Sequence, residues 1–517
     1  MTTRERLSSL GAIGAIVAAL LRLSATAQQP DACQRLATTA LPNATITAAT
    51  RVDAGTFSPP AGRRGASEPY ADLGAFCRIT TTTPVTAAST AHTEIWLPIG
   101  NWNHESRPAG GGFYGGTMPY ARMREIVRGG SATSGSDAGI DGIGALTQRP
   151  ELMKNIANEP FHAMVAQAKT LATAFYGAEP RFTLMDECGG AGSRDALAMV
   201  QRWPGDLDVV AATGSTNWGT HHGLAQMWLY WATHKDEASY IPEEKYAAIH
   251  QAAVNSCDAK DGVRDGVIED PPHCRFDPGV MLCKGADGPM CLTAPQVAAV
   301  RKIYEVPRHA RTRTALYGPM VPGSELSWPD MTARPRPYPY AENFYRNFVF
   351  HDPNWDYKTF RPDFAADVDR ADAPDNLPMN AQDADLAPFI DHGGKLIMMG
   401  GWNDDLGPGN NVDYYERVVR TVGAAKAKQG VRLFMVPGMH HCLGLEYPST
   451  YRVDFDLLGA AKQWKQTGAA PEQIIVTTTR KGEPARPRLV CAYPKVSQYK
   501  GRGAVDDPAN FTCMTPS

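Results

Sequence analysis

Several residues in this chain are typed and spaced for acid–base work at a carbonyl. Asp404 stands in Gly400-Gly401-Trp402-Asn403-Asp404-Asp405, and His441 in Pro437-Gly438-Met439-His440-His441-Cys442, each directly after a short apolar run. An imidazole oriented by a carboxylate is a general base near neutral pH, able to take a proton from a hydroxyl, a thiol or water. Upstream, Asp186-Glu187-Cys188-Gly189-Gly190-Ala191-Gly192-Ser193-Arg194 forms a glycine-rich turn after another apolar run, with Cys188 and Ser193 as its nucleophilic residue types. Gly110-Gly111-Gly112-Phe113-Tyr114-Gly115-Gly116 offers backbone amides with little side chain to shield them. Such amides can cradle a developing oxyanion, with Gly111 and Gly112 as candidate donors.

These groups act together only if regular elements bring them to one place. Residues 93–98 read as a strand, 161–176 as a helix and 181–185 as a short buried strand. A helix over 195–202 ends before Pro204, and 209–212, 394–399 and 431–436 read as further strands. Strand, glycine-rich turn, helix and strand in alternation predict a parallel α/β sheet. The turn, Asp404 and His441 then all follow strand C-terminal ends, the edge where ligands bind in such sheets. Their order along the chain, turn then Asp then His, is that of the α/β-hydrolases. From about 223 to 385 the text changes to Trp, Tyr, Pro and Asp-Gly turns. The expected architecture is therefore α/β, an α/β-hydrolase fold with a large inserted lid domain. Its core spans 28–222 and 386–517, and its lid spans 223–385.

The 517 residues are 43% hydrophobic and 20% charged, enough apolar content for a packed core and too little charge for a disordered chain. A formal net charge of −3 gives no electrostatic case for nucleic acid. Arg4 and Arg6 precede the apolar run Leu10-Gly11-Ala12-Ile13-Gly14-Ala15-Ile16-Val17-Ala18-Ala19-Leu20-Leu21, and Ala25-Thr26-Ala27 follows. That is the layout of a signal peptide over 1–27; the run is shorter than the ~20 residues a membrane span needs, although Arg22 just after it leaves a membrane anchor as the alternative. A secreted or periplasmic protein is expected, with no membrane contact after cleavage, as a monomer or weak oligomer. Removing the segment takes away three Arg and one Glu, leaving about −5. In an oxidising compartment ten cysteines read as bridges. Locality couples Cys257 with Cys274, Cys283 with Cys291 and Cys491 with Cys513, while Cys33, Cys77, Cys188 and Cys442 leave three connectivities open. No cysteine spacing matches a zinc pattern.

The segments Gly110 to Gly116, Gly401-Trp402-Asn403-Asp404, Pro437 to Cys442, Cys257-Asp258-Ala259-Lys260-Asp261-Gly262-Val263-Arg264-Asp265-Gly266-Val267-Ile268 and the tail from Cys491 to Cys513 resemble the tannase and feruloyl esterase family, which also contains the hydrolase of the terephthalate–ethylene glycol mono-ester. The resemblance implies Asp404 and His441 as triad members, a Cys188–Cys442 bridge that leaves Cys33 with Cys77, and an aromatic, phenolic ester as substrate. Trp328, Phe344, Tyr345, Phe348 and Trp355 are candidates for an aromatic pocket, and equally for core. It also implies a structural Ca²⁺ on the loop, held by Asp258, Asp261 and Asp265 with carbonyls of Val263, Val267 and Ile268. By composition alone that loop is an acidic turn, and its spacing is not that of an EF-hand.

The departures from that family bear on mechanism. Its members carry Gly-Cys-Ser-x-Gly-Gly-Arg at the turn, whereas Cys188 here is followed by Gly189 and Gly190. Anchoring on Cys188 puts Gly189 at the nucleophile, and anchoring on Arg194 puts Gly190 there with one residue added. Glu187 and His440 also stand where the family has glycine. Four mechanisms stay open: Ser193 takes over, or Cys188 attacks as a thiolate, or His441 activates water or substrate with no protein nucleophile, or the protein binds without turnover. Esterase, lyase or decarboxylase, and binding protein are the corresponding functions.

Overall fold

Strands buried on both faces need near-continuous apolar runs, and the middle of this chain supplies them. β8 (Lys395–Gly401, KLIMMGG) and β9 (Val431–Val436, VRLFMV) are buried along almost their whole length. The computed structural model describes residues 31–60, 68–110, 116–156, 159–444, 451–480 and 482–516. The signal segment 1–27, Gly111 and Gly112 lie outside the described residues. Seven further strands join β8 and β9 in one sheet: β1 (Thr45–Val52), β2 (Phe76–Thr86), β3 (Ser89–Pro98), β4 (Glu105–Pro108), β5 (Ala132–Ser136), β6 (Phe182–Cys188) and β7 (Val209–Thr213). Their spatial order is β1-β2-β3-β5-β4-β6-β7-β8-β9. Pairing is antiparallel from β1 to β5 and parallel from β5 through β9.

Two-residue alternation divides the parallel strands between two cores. Met185, Val210, Ala212, Met398, Leu433 and Met435 pack on the side of the helix Gly189–Arg202 with Ala196, Leu197 and Val200. Leu184, Val209, Ala211, Ile397, Met399 and Phe434 pack on the other side with Trp464 of the helix Leu457–Thr467. The helix read at 195–202 begins six residues earlier, at Gly189. Three glycines among its first four residues disguise its start, which the end of β6 sets instead.

The chain leaves the sheet after Thr213 and returns at Lys395. The boundary read at 222/223 falls inside the helix Gly219–His234, because the compositional change lags behind the topological one. Within this excursion Phe344, Tyr345, Phe348 and Trp355 pack against Leu224, Met227 and Tyr230. Trp328 packs against Trp228, Ile249 and Ile303. All five aromatic candidates are buried and form the core of the lid. Beyond β9, β10 (Tyr451–Asp454), β11 (Gln473–Arg480) and β12 (Arg486–Cys491) make a small antiparallel sheet, and β13 (Val496–Tyr499) pairs with β14 (Phe511–Met514).

Five disulfides join Cys33–Cys77, Cys188–Cys442, Cys257–Cys274, Cys283–Cys291 and Cys491–Cys513, so no cysteine is free. The Cys188–Cys442 bond spans 254 residues and ties the end of β6 to the histidine loop. Cys188 is therefore bonded and does not supply a thiolate. Among the described residues no helix is long and apolar enough to cross a membrane.

Candidate active site

Two loops at the C-terminal ends of β8 and β9 lie backbone to backbone. The Trp402 amide donates to the Val436 carbonyl and the Asn403 amide to the Met439 carbonyl, both at 3.0 Å. A Cβ on Gly401 would fall 2.0 Å from the Met439 oxygen, so glycine is what permits this approach. The result is a buried pair in which His441 Nδ1 lies 3.0 Å from Asp404 Oδ2. The Leu406 amide donates to Asp404 Oδ1 at 2.8 Å. Burial opposes ionisation of Asp404, but His441, through its charge and hydrogen bond, and the Leu406 amide outweigh it and hold the carboxyl below its ordinary range. Gly214, just past β7, lies over the pair, and a Cβ there would sit 2.9 Å from His441 Nδ1.

The turn after β6 decides between the two glycines. Gly189 takes a left-handed backbone, φ +80°, the sharp geometry of a nucleophile elbow. A Cβ on Gly189 would point 3.2 Å from His441 Nε2 and 3.3 Å from Cys442 Sγ. Gly190 follows inside the first turn of the helix. Ser193 is one turn further in, with 0% exposure, and its hydroxyl donates to the Gly189 carbonyl at 2.6 Å. It lies inside the helix rather than at its start, and its proton is committed to backbone.

Glu187 fills space that its neighbours leave open. Its Oε1 accepts from the Gly110 amide at 2.8 Å, and a Cβ on Gly192 would lie 2.6 Å from its Oε2. Burial pushes the Glu187 carboxyl up to about 7, with the Gly110 amide and Arg122 opposing and Asp186 and Asp195 adding. The first amide of the glycine-rich loop therefore faces a carboxyl group. His222, unread in the sequence, also belongs here. Burial lowers its imidazole to about 3, with His441 adding and Asp404 opposing, and Tyr317 and Tyr340 flank it at ring distances of 5.7 and 5.0 Å. Its lid helix is placed by tertiary packing, so no local pattern could mark it.

The acidic loop lies apart from this pair. Asp258 accepts from the Asp265 and Gly266 amides at 3.2 and 3.1 Å, Asp261 from Val263 at 3.0 Å and Asp265 from Val267 at 3.1 Å. Arg488 reaches Asp265 at 2.8 Å and Glu269 at 2.7 Å, and Val263, Val267 and Ile268 are buried beside them. Burial pushes Asp261 up to about 6, the Val263 amide and Arg488 oppose this, and Asp265 and Asp258 add to it. Hard oxygen donors gathered around a buried carboxyl that disfavours its own ionisation fit a hard divalent cation, which would relieve the Asp261 penalty. Among the described residues the side-chain group gathered within 4.8 Å is instead Cys283, Asp287 and Cys291, whose two cysteines are bonded to each other.

A sheet of this order, with an elbow after β6, an Asp after β8 and a His after β9, defines an α/β-hydrolase. Within that class the chain belongs to the tannase and feruloyl esterase family, whose pattern matches residues 77–514. It is 31% identical to an uncharacterized esterase of Xanthomonas campestris pv. campestris, over 98% of this chain and 96% of that one. To a probable feruloyl esterase B-1 of Aspergillus oryzae it is 28% identical, over 87% and 86%. The crystal structure of feruloyl esterase B from Aspergillus oryzae superposes with a TM-score of 0.82 at 26% identity, covering 93% of this chain and 99% of that one. Tannin acyl hydrolase from Aspergillus niger shares the fold, with a TM-score of 0.74 at 17% identity over 94% and 95%. The chain is thus a tannase/feruloyl esterase-like hydrolase, a member of a carboxylic ester hydrolase family.

Proposed function

We propose that this protein is an exported hydrolase of an aromatic, phenolic ester that works without a protein nucleophile. The observation that carries this is the vacated elbow: Gly189 has the left-handed turn, and its missing Cβ direction points 3.2 Å from His441 Nε2. A water there replaces the absent hydroxyl. His441, held by Asp404, takes one proton from the water as its oxygen attacks the acyl carbon. The oxyanion is met by backbone amides of the elbow and of the glycine-rich loop, Gly111 and Gly112 included. Collapse breaks the C–O bond to the alcohol, and His441 returns the proton to the leaving oxygen. Neutral His222 between Tyr317 and Tyr340 supports an aromatic substrate, and five disulfides support an oxidising compartment.

One observation favours a second reading. The Gly110 amide is taken by Glu187, which weakens an oxyanion cradle and suits a lyase or decarboxylase using the same base, or a binding relative. A panel of phenolic esters and free phenolic acids, with products analysed by mass spectrometry, separates these outcomes. Acid plus alcohol, with no burst and no organophosphate label, is expected. Loss of CO₂ from a free acid, or no product at all, overturns the ester reading.

The acidic loop is proposed as a structural Ca²⁺ site, with Asp258, Asp261 and Asp265 and the carbonyls of Val263, Val267 and Ile268 as ligands. Bound Ca²⁺ would supply charge compensation to the lid and no step of the chemistry. Chelation is expected to cost about 2.7 kcal/mol of stability where free ion had stood at 100 times Kd, seen as a lower Tm that Asp261→Ala mimics. An unchanged melting curve after verified metal removal rejects the site.

A further inference from the structure

A second histidine–carboxylate pair lies on the lid side of the histidine loop. His250 Nδ1 is 3.0 Å from Glu325 Oε2, and Glu325 has 0% exposure. The other oxygen of Glu325 accepts from the Tyr304 hydroxyl and the Gly323 amide. This carboxylate is therefore saturated by donors and locks the ring of His250, leaving Nε2 as its only remaining polar atom. His250 lines a cleft of about 270 Å³ between lid and core, and His440 and Arg480 line it from the core side. His440 is 8% exposed, and among the described residues no protein hydrogen bond satisfies its ring nitrogens. Its ring nitrogens are therefore open to a partner in the cleft. Arg480 is fixed by donating to the Asp265 carbonyl at 2.7 Å and by lying 5.3 Å over the Tyr451 ring.

The lining contains no Asp or Glu; Val254, Ile268 and Leu326 form an aliphatic stretch of it, beside the polar Gln251 and Asn403. A guanidinium without a lining carboxylate attracts an anion, and the two imidazoles add hydrogen-bonding nitrogens beside it. The aliphatic stretch of the lining suits an apolar body, and the polar stretch suits its charged end. We propose that this cleft is a second binding site, for a small organic carboxylate with an apolar body. The carboxylate lies toward Arg480 and His250, and His440 makes the additional hydrogen bond. Neither Asp404 nor His441 lines the cleft, and the proposal does not depend on how that pair acts.

Calorimetric titration of the full chain with benzoate, with benzyl alcohol as the neutral control, tests this. Benzoate is expected to bind and benzyl alcohol not to. His440→Ala and His250→Gln are each expected to weaken benzoate by about tenfold, the scale of one contact. His441→Ala is expected to leave that affinity unchanged, which separates this site from the catalytic one. Arg480→Met should weaken it most. Because Arg480 also holds the Asp265 carbonyl, NMR of the unmodified protein supplies a second measure: benzoate should shift the His440 and His250 imidazole resonances together. Four results overturn the proposal: no benzoate binding, binding insensitive to the two histidine variants, binding lost only in His441→Ala, or Zn²⁺ saturating both histidines where benzoate shifts neither.

Discussion

His441→Ala is expected to reduce turnover of a phenolic ester by about 10²–10⁴-fold, the usual contribution of a positioned general base. The imidazole is the group that both Asp404, at 3.0 Å, and the vacated elbow position address, and no other described side chain has that relation to the turn. Ser193→Ala is expected to keep most of the activity, since its hydroxyl is buried and donates to the Gly189 carbonyl. Asp404→Asn should fall between, because the amide can hold the ring in the wrong tautomer and removes the charge that stabilises the imidazolium. The measurement is kcat/KM for the three purified variants on one ester, with melting temperatures to show that each is folded. Loss of activity in Ser193→Ala together with organophosphate labelling of Ser193 would sink the water mechanism. Equal, background-level rates in all variants and in the parent would instead make this a binding relative.

Gly189→Ser is expected to give the site a covalent nucleophile. The new Cβ would point at His441 Nε2, which is the relation a serine needs for its proton to be taken. It carries two costs. A non-glycine residue at φ +80° stores roughly 1–3 kcal/mol of strain, and contacts of 3.2 and 3.3 Å with His441 and Cys442 require small adjustments. A pre-steady-state burst and stoichiometric organophosphate labelling at residue 189 are the expected readouts, with a modest fall in Tm. The single variant still has Glu187 on the Gly110 amide. Glu187→Gly would release that donor, and one oxyanion donor is worth about 10²–10³ in kcat. The double variant should therefore exceed Gly189→Ser by up to that factor. If a folded Gly189→Ser is neither labelled nor shows a burst, the elbow assignment fails.

The strands that carry the site were legible because their signal is local. The run at 209–212 is apolar throughout and that at 431–436 is apolar except for Arg432, and turns rich in Gly, Pro and Asp bound them, so β7 and β9 fall where the sequence puts them. The start of the helix after β6 was not legible, because Gly189-Gly190-Ala191-Gly192 has turn composition and only the end of β6 makes it helical. The lid aromatics were ambiguous for a related reason: Phe344 or Trp355 satisfies a core and a ligand pocket equally well until its neighbours are known.

By itself, the sequence determined the class of chemistry: a glycine-rich turn, an aspartate and a histidine, each after a strand, in an order that one sheet edge can collect. It also determined that a serine does not follow Cys188. Only the tertiary structure decided which glycine holds the elbow, because a left-handed φ and the direction of an absent Cβ are properties of backbone held from both sides by β6 and the Cys442 loop. It alone brought Glu187 to the Gly110 amide across 77 residues and His250 to Glu325 across 75. Strand and turn signals arise from neighbours along the chain. Side-chain pairings of that span arise from packing, where apolar burial sets which surfaces meet and polar groups take whatever partners that meeting provides.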